Sequence, residues 1–170
     1  LVRHDLVQEA IRLTRMLTRH PATAQPKTDA LLALMLLQAA RIPARADAAG
    51  DLFLLEEQDR ASWVRTLIAE GLRRLDASDS GREVSAYHLQ AGIAAAPAVA
   101  PTYAASDWAE IVSLYDALLD IEPSPIVVLN RAIALSRVEG PEAGLRALDL
   151  LRDDPTLARY ALFHATLGEL

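Results

Sequence analysis

The chain has 170 residues, with 17 Lys plus Arg against 23 Asp plus Glu, a formal charge of -6 and no cysteine. Nucleic-acid phosphates are gripped by clustered cations, so this balance argues against a surface that coats DNA or RNA. The missing thiols exclude disulfide frameworks, thiolate catalysis and thiolate metal sites. A compact chain of this length buries about 68 to 70% of the surface its extended form exposes, enough for a core without covalent staples. Aromatic residues are only 5% of the sequence, so the core is expected to be built from Ala and Leu at close helix contacts. The apolar run from Leu31 to Leu37 falls far short of the roughly 18 residues needed to span a bilayer, and no basic-then-apolar leader opens the sequence; a cytoplasmic location is expected. The first residue is Leu1 rather than Met, which suggests a piece of a longer protein holding one domain, or two small modules with a shared core.

Residues 2–18 place Leu6, Ala10, Leu13 and Leu17 along one side, with Val7 and Ile11 beside them, and read as an amphipathic helix ended by His20-Pro21. Residues 27–41 are apolar on nearly every side and read as the central helix of a bundle, stopped by Pro43. Residues 42–55 are irregular. Asp47, Gly50 and Asp51 supply a turn there, and Leu52 to Leu55 an extended apolar run. The helical period resumes over 56–76, aligning Trp63, Leu67, Gly71 or Ile68, Leu72 and Leu75, with Asp59 as its cap. A further helix over 83–96 is expected to break at Pro97 and Pro101.

From Ser106 the pattern becomes regular. Asp107 and Glu110 have capping-box spacing before Trp108, Ile111, Val112, Tyr115, Leu118 and Leu119. Ser124-Pro125 opens a second helix that runs to Gly140, Pro141 a third, and Asp154-Pro155 a fourth with Leu157, Tyr160, Phe163 and Leu167. These four alternate with a period of about 30 residues, near the 34 of a tetratricopeptide helix pair, and Trp108-x-x-Ile111-Val112-x-x-Tyr115 is similar to the first helix of that repeat. The fold class is therefore all-α: a helical bundle over residues 1–102, followed over 103–170 by tetratricopeptide-like hairpins in a right-handed superhelix. The two regions are expected to form one continuous structural unit.

The sequence offers little chemistry. His4, His20, His88 and His164 are scattered without metal-ligand spacing, so no metal is expected, and His88 reads as a helix-to-helix hydrogen bond. Glu56, Glu57 and Asp59 share a helix end rather than facing one another across a pocket, and no phosphate loop or nucleophile elbow is present. No catalytic residue and no cofactor is assigned, and the chain is expected not to be an enzyme. Asn130 and Arg131 lie in an otherwise apolar helix. The plain reading is a buried hydrogen bond for Asn130 and an ion pair from Arg131 to Asp116 or Asp107; the alternative is a polar floor for a bound peptide or domain.

The blocks Leu31 to Arg41, Leu54 to Arg60 with Trp63, Ile68 to Gly71, Tyr87 to Ala91, Asp107-Trp108 to Asp116, Pro123 to Pro125 and Leu129 to Ala132 together resemble the carboxy-terminal extension of a group of bacterial extracytoplasmic-function sigma factors. The resemblance covers nearly the whole chain. It implies a transcription initiation factor whose core-polymerase-binding and promoter-reading domains precede this extension. Its partners would be those sigma domains, the RNA polymerase core or a regulatory protein. Promoter DNA would be met only through the absent domains, and membranes not at all; a homodimer is left open. Ser85-Ala86-Tyr87 and Pro97-Ala98 depart from the family's Gly-Pro-Tyr and His-Ala, which implies an earlier end to that helix.

Two further readings stand beside this one. A stand-alone adaptor would hold a peptide in a groove lined by Trp108 and Tyr115. A small-molecule sensor or enzyme would use Asp59, Arg60, Tyr87 and Gln90 at the junction of bundle and repeats. Candidate interaction residues across the readings are Asp59, Arg60, Trp63, Tyr87, Gln90, Trp108, Tyr115, Asn130 and Arg131.

Overall fold

The computed structural model describes residues 3–47, 50–81, 83–149, 151, 154, 163–164, 166 and 168. Among them the fold is all-α. The helices are α1 (His4–Arg19), α2 (Pro26–Ala40), α3 (Arg65–Ser78), α4 (Ala86–Val99), α5 (Trp108–Ile121), α6 (Pro125–Glu139) and α7 (Pro141–Asp149). They fall into two compact units, Leu1–Ser106 and Asp107–Leu170. No helix among the described residues is long and apolar enough to cross a membrane.

In the first unit α2 is the hub, packed against by α1, α3 and α4. Pro26 starts it at a position where the missing N–H costs nothing, and Ala30, Leu32, Ala33, Leu36, Leu37, Ala39 and Ala40 are all buried. Two clusters share it. Leu37 and Ala40 join Ala44, Trp63, Ile68, Ala94, Ala95 and Ala98, while Leu32, Leu36 and Ala39 close over Ile11 of α1. The alanines of α2 and α4 let these backbones come close, as the composition suggested. At Gly71 the approach is closest, since a Cβ there would lie 2.9 Å from Leu37 Cγ.

Three sequence expectations change here. Helix α1 does not bury Leu6, Leu13 and Leu17; it buries Ile11 and Thr14, and the three leucines are 57, 47 and 43% exposed. Two apolar lines run down this helix about 100° apart, and α2 receives the one where Thr14 can donate to the Ala10 carbonyl and lie against Met35 Sδ. Over 56–76 the helix begins only at Arg65. Asp59 caps a short 3-10 turn, Arg60–Ser62, by accepting from the Ala61 N–H, and the chain then runs extended through Trp63 so that the Val64 N–H reaches the Ala40 carbonyl. Finally, Pro97 does not end α4. It sits in the last turn of a helix that continues to Val99, and Arg60 satisfies the carbonyls of Pro97 and Ala100.

The irregular stretch is held by its own polar groups. Asp47 accepts from the Gly50 and Asp51 N–H groups around a positive φ at Gly50, and Ala46 pairs with Leu52 in a single antiparallel bridge. The apolar side chains of Leu52, Phe53 and Leu54 remain exposed.

In the second unit, Asp107 caps α5 by accepting from the Glu110 N–H. Pro125 and Pro141 occupy the first positions of α6 and α7, and Gly140 turns between them at φ +93°. Helices α5 and α6 pack together, as do α6 and α7, in successive hairpins. Leu129, Ala132, Leu148, Leu151 and Phe163 form the core of this unit. Phe163 and His164 are helical, but most of the helix expected after Asp154-Pro155 lies outside the described residues.

Candidate functional site

The best-defined polar cluster is centred on Trp63, which is 2% exposed and sits in the α2–α3–α4 core. Two guanidinium groups lie near its ring, Arg60 at 4.3 Å and Arg41 at 5.6 Å from the centroid, within cation–π range. Arg60 reaches across to the C-terminal end of α4, where a cation complements the carbonyl-rich helix end. Arg41 donates through Nε to Gln58 Oε1 at 3.2 Å, and Gln58 in turn donates to the Phe53 carbonyl at 3.3 Å. The Arg60 Nη1 and Trp63 Nε1 groups are buried without a hydrogen-bond partner among the described residues. Burial, reinforced by the charges of Arg45 and Arg60, pushes the Arg41 guanidinium down to about 10; Arg60 is lowered by burial and then by Arg65.

Asp59 stays on the rim of this cluster as an exposed cap. Its carboxyl is held below the usual range, first by the Ser62 hydroxyl and then by the Ala61 N–H. Tyr87 and Gln90 are not brought to it. They lie in the first half of α4, whereas Arg60 contacts its last turn, roughly 15 Å further along at 1.5 Å per residue. Tyr87 is exposed, and no hydrogen bond among the described residues joins either side chain to Asp59 or Arg60.

In the second unit the expected ion pair is present: Arg131 Nε donates to Asp116 Oδ1 at 2.5 Å and ties α6 to α5. Asn130 is half-buried beside it. Trp108 and Tyr115 are half-buried on α5, and burial pushes the Tyr115 hydroxyl up to about 12.

Two polar features escaped the sequence reading. His88 closes the start of α4: its Nδ1 accepts from the Ser85 N–H at 3.1 Å and lies 2.8 Å from the Ser85 hydroxyl. With Nδ1 accepting, the proton sits on Nε2, which faces the Ser78 carbonyl of α3 at 3.3 Å. The helix-to-helix bond expected of His88 is thus joined by a cap, hidden because the residue three positions after Ser85 is His rather than Glu or Gln. Arg41 and Arg45 read from the sequence as a short basic cluster on a solvated surface, whereas Arg41 is partly buried beside Trp63 and bonded to Gln58. A surface depression of about 350 Å³ opens beside Pro26, lined by Gln25, Lys27, Gly81, Glu83 and Ser85, with no convergent catalytic set. No group of three or more His, Cys, Asp or Glu placed to hold a metal ion occurs among the described residues.

Residues 1–79 match the family described as "Family of unknown function (DUF6596)". The chain is also 45% identical over 166 residues to "Uncharacterized protein R00370" of Rhizobium meliloti (strain 1021), a match covering 98% of this chain and 38% of that protein. The chain therefore spans well under half the length of the curated relative it matches. No solved structure matches it.

Proposed function

We propose that this chain is the non-catalytic, protein-binding extension of a longer cytoplasmic sigma factor of the extracytoplasmic-function type. It would act in transcription initiation through contacts with its own sigma domains or with RNA polymerase. The observation that carries this reading is the outward apolar face of α1: Leu6, Leu13 and Leu17, with Met16 at 55% exposure, form a helical stripe that no helix covers among the described residues of the unit. A stripe of this kind suits a helix-in-groove or helix-on-helix contact. The resemblance of the ordered blocks favours sigma domains as the partner, and the length of the Rhizobium relative outside the match leaves room for them.

The adaptor reading draws less support. Its expected groove aromatics include Tyr115, whose hydroxyl is withdrawn from water rather than offered to a peptide.

The test is calorimetric titration of this chain with the separately expressed sigma domains of the same protein at fixed salt, together with the complete reading frame. Saturable binding is expected. A full-length protein without sigma domains ahead of Leu1, or the absence of both heat and co-elution, would remove the proposal.

A further inference from the structure

The chain carries more negative than positive charge, yet Arg41, Arg45, Arg60 and Arg65 make no ion pair among the described residues. Other arginines behave differently: Arg15, Arg74 and Arg131 each take a carboxylate from a neighbouring helix. Three acids of the same stretch of chain have partners of their own. Asp59 holds Ala61 and Ser62, Asp47 holds its turn, and Glu57 accepts from the Leu54 N–H. The guanidinium of Arg41 is steered by Gln58 through Nε alone, and its two Nη groups make no hydrogen bond among the described residues.

Bringing cations together in a half-buried place without a counter-charge costs free energy, and buried donors without acceptors add to that cost. The buried donors concerned are Nη1 of Arg60 and Nε1 of Trp63, and the Arg41 guanidinium lies within cation–π range of the same indole. The Nη fork of Arg41, on which the charges of Arg45 and Arg60 also act, is suited to an oxygen pair.

We infer that the Arg41–Trp63–Arg60 cluster, with Arg45 at its rim, is a binding site for an oxyanion, the carboxylate or phosphate group of a small solute. The anion would be held chiefly by the Arg41 Nη groups, with Arg45 adding long-range attraction. Arg60 has a structural duty at the end of α4 and its Nη1 is closed off from solvent, so its contribution is its charge. This site is independent of the α1 face and does not rest on the sigma-factor reading.

The test follows the Trp63 indole and Arg41 Nε cross-peaks in 1H–15N spectra of the protein. One series receives sodium phosphate, a second sodium citrate, and a third sodium chloride at matched ionic strength. Saturable movement of both peaks in the phosphate or the citrate series, beyond the chloride control, is expected, and the responding series names the anion class. Arg41→Gln should weaken that binding by about tenfold or more, as loss of a charge-assisted pair requires. Should that variant not fold, Arg45→Gln decides, because Arg45 is exposed and its loss leaves the core intact; a drop of about two- to threefold is expected. Peaks that move no further than in chloride, or binding unchanged in the folded variant, would overturn the inference.

Discussion

Arg15 of α1 and Glu70 of α3 meet in a two-pronged ion pair, Nε to Oε1 at 2.9 Å and Nη2 to Oε2 at 2.6 Å. The pair joins two helices whose main shared neighbour is α2. Arg15 holds the Glu70 carboxyl below its usual range, mainly through these hydrogen bonds. An unfolded glutamate titrates near 4.3, so the pair's contribution is complete above that value and is lost as pH falls through the lower folded-state value. Both side chains are partly exposed, which limits the contribution to about 1 kcal/mol. Glu70→Gln should therefore lower stability by about that amount at neutral pH and narrow the gap to the parent protein in acid. Urea unfolding at a series of pH values measures it, and parallel pH curves for the two proteins would contradict it.

Gly71 gives a second prediction, with two effects of opposite sign. Alanine in place of a helical glycine gains about 1 kcal/mol of helix propensity. The added Cβ, however, would stand 2.9 Å from Leu37 Cγ, 3.2 Å from its Cδ2 and 3.3 Å from the Ala33 carbonyl. Leu37 is fully buried against Ala40, Trp63 and Ile68, so it cannot swing aside, and overpacking of this kind costs about 1 to 3 kcal/mol. Gly71→Ala is expected to destabilise by about 1 kcal/mol net. A raised urea midpoint would show that α2 and α3 can separate to accept the methyl.

How much of this could be read from residues alone depends on whether the signal was local. Pro26 and the all-round apolar surface mark α2 as the buried centre, and Asp107, Ser124-Pro125 and Pro141 mark the starts of α5, α6 and α7; each acts within one turn of itself. Helix α1 was legible as a helix, but periodicity cannot choose between two apolar lines one residue apart, because the choice belongs to α2. The same holds at the site. Arg131 and Asp116 are close enough in one hairpin to be paired by inspection, whereas the acceptors of Arg60 lie 37 and 40 residues away on α4. Pro97 misled for a related reason: its helix end is completed by that same distant arginine.

At the start of α4, His88 performs two duties, capping Ser85 and bonding the end of α3 at Ser78. Substitution by alanine removes both and should cost about 1 to 2 kcal/mol. Glutamine can reach back to the Ser85 N–H but cannot also span to the Ser78 carbonyl, so His88→Gln should fall between parent and His88→Ala. Thermal unfolding of the three proteins gives the order, and a glutamine variant as unstable as the alanine one would leave the cap without weight.

The Tyr115 hydroxyl, raised by burial, predicts a late ionisation. In absorbance at 295 nm its phenolate should emerge only near pH 12, and that step should vanish in Tyr115→Phe. An unfolded tyrosine ionises near 10, so the unfolded state loses its proton first and stability falls as pH rises from 10 towards 12. Amplitude lost near pH 10 rather than near 12 in the phenylalanine variant would place Tyr115 in water instead.

The two apolar lines of α1 can be separated by experiment, because one holds the fold and the other is assigned to a partner. Ile11 is buried against Leu32, Leu36 and Ala39, so Ile11→Ala should cost about 2 to 4 kcal/mol. Leu6, Leu13 and Leu17 face outward, and replacing all three with glutamine should change the stability of this chain by only about 0.5 kcal/mol. Binding to the proposed sigma-domain partner should meanwhile fall at least tenfold, since removing three exposed leucines from a contact forfeits most of its apolar area. Chemical unfolding and calorimetry on the same preparations read the two effects apart. A triple variant that unfolds easily would mean that the stripe is covered within the chain, while one that keeps full affinity would move the contact to another face.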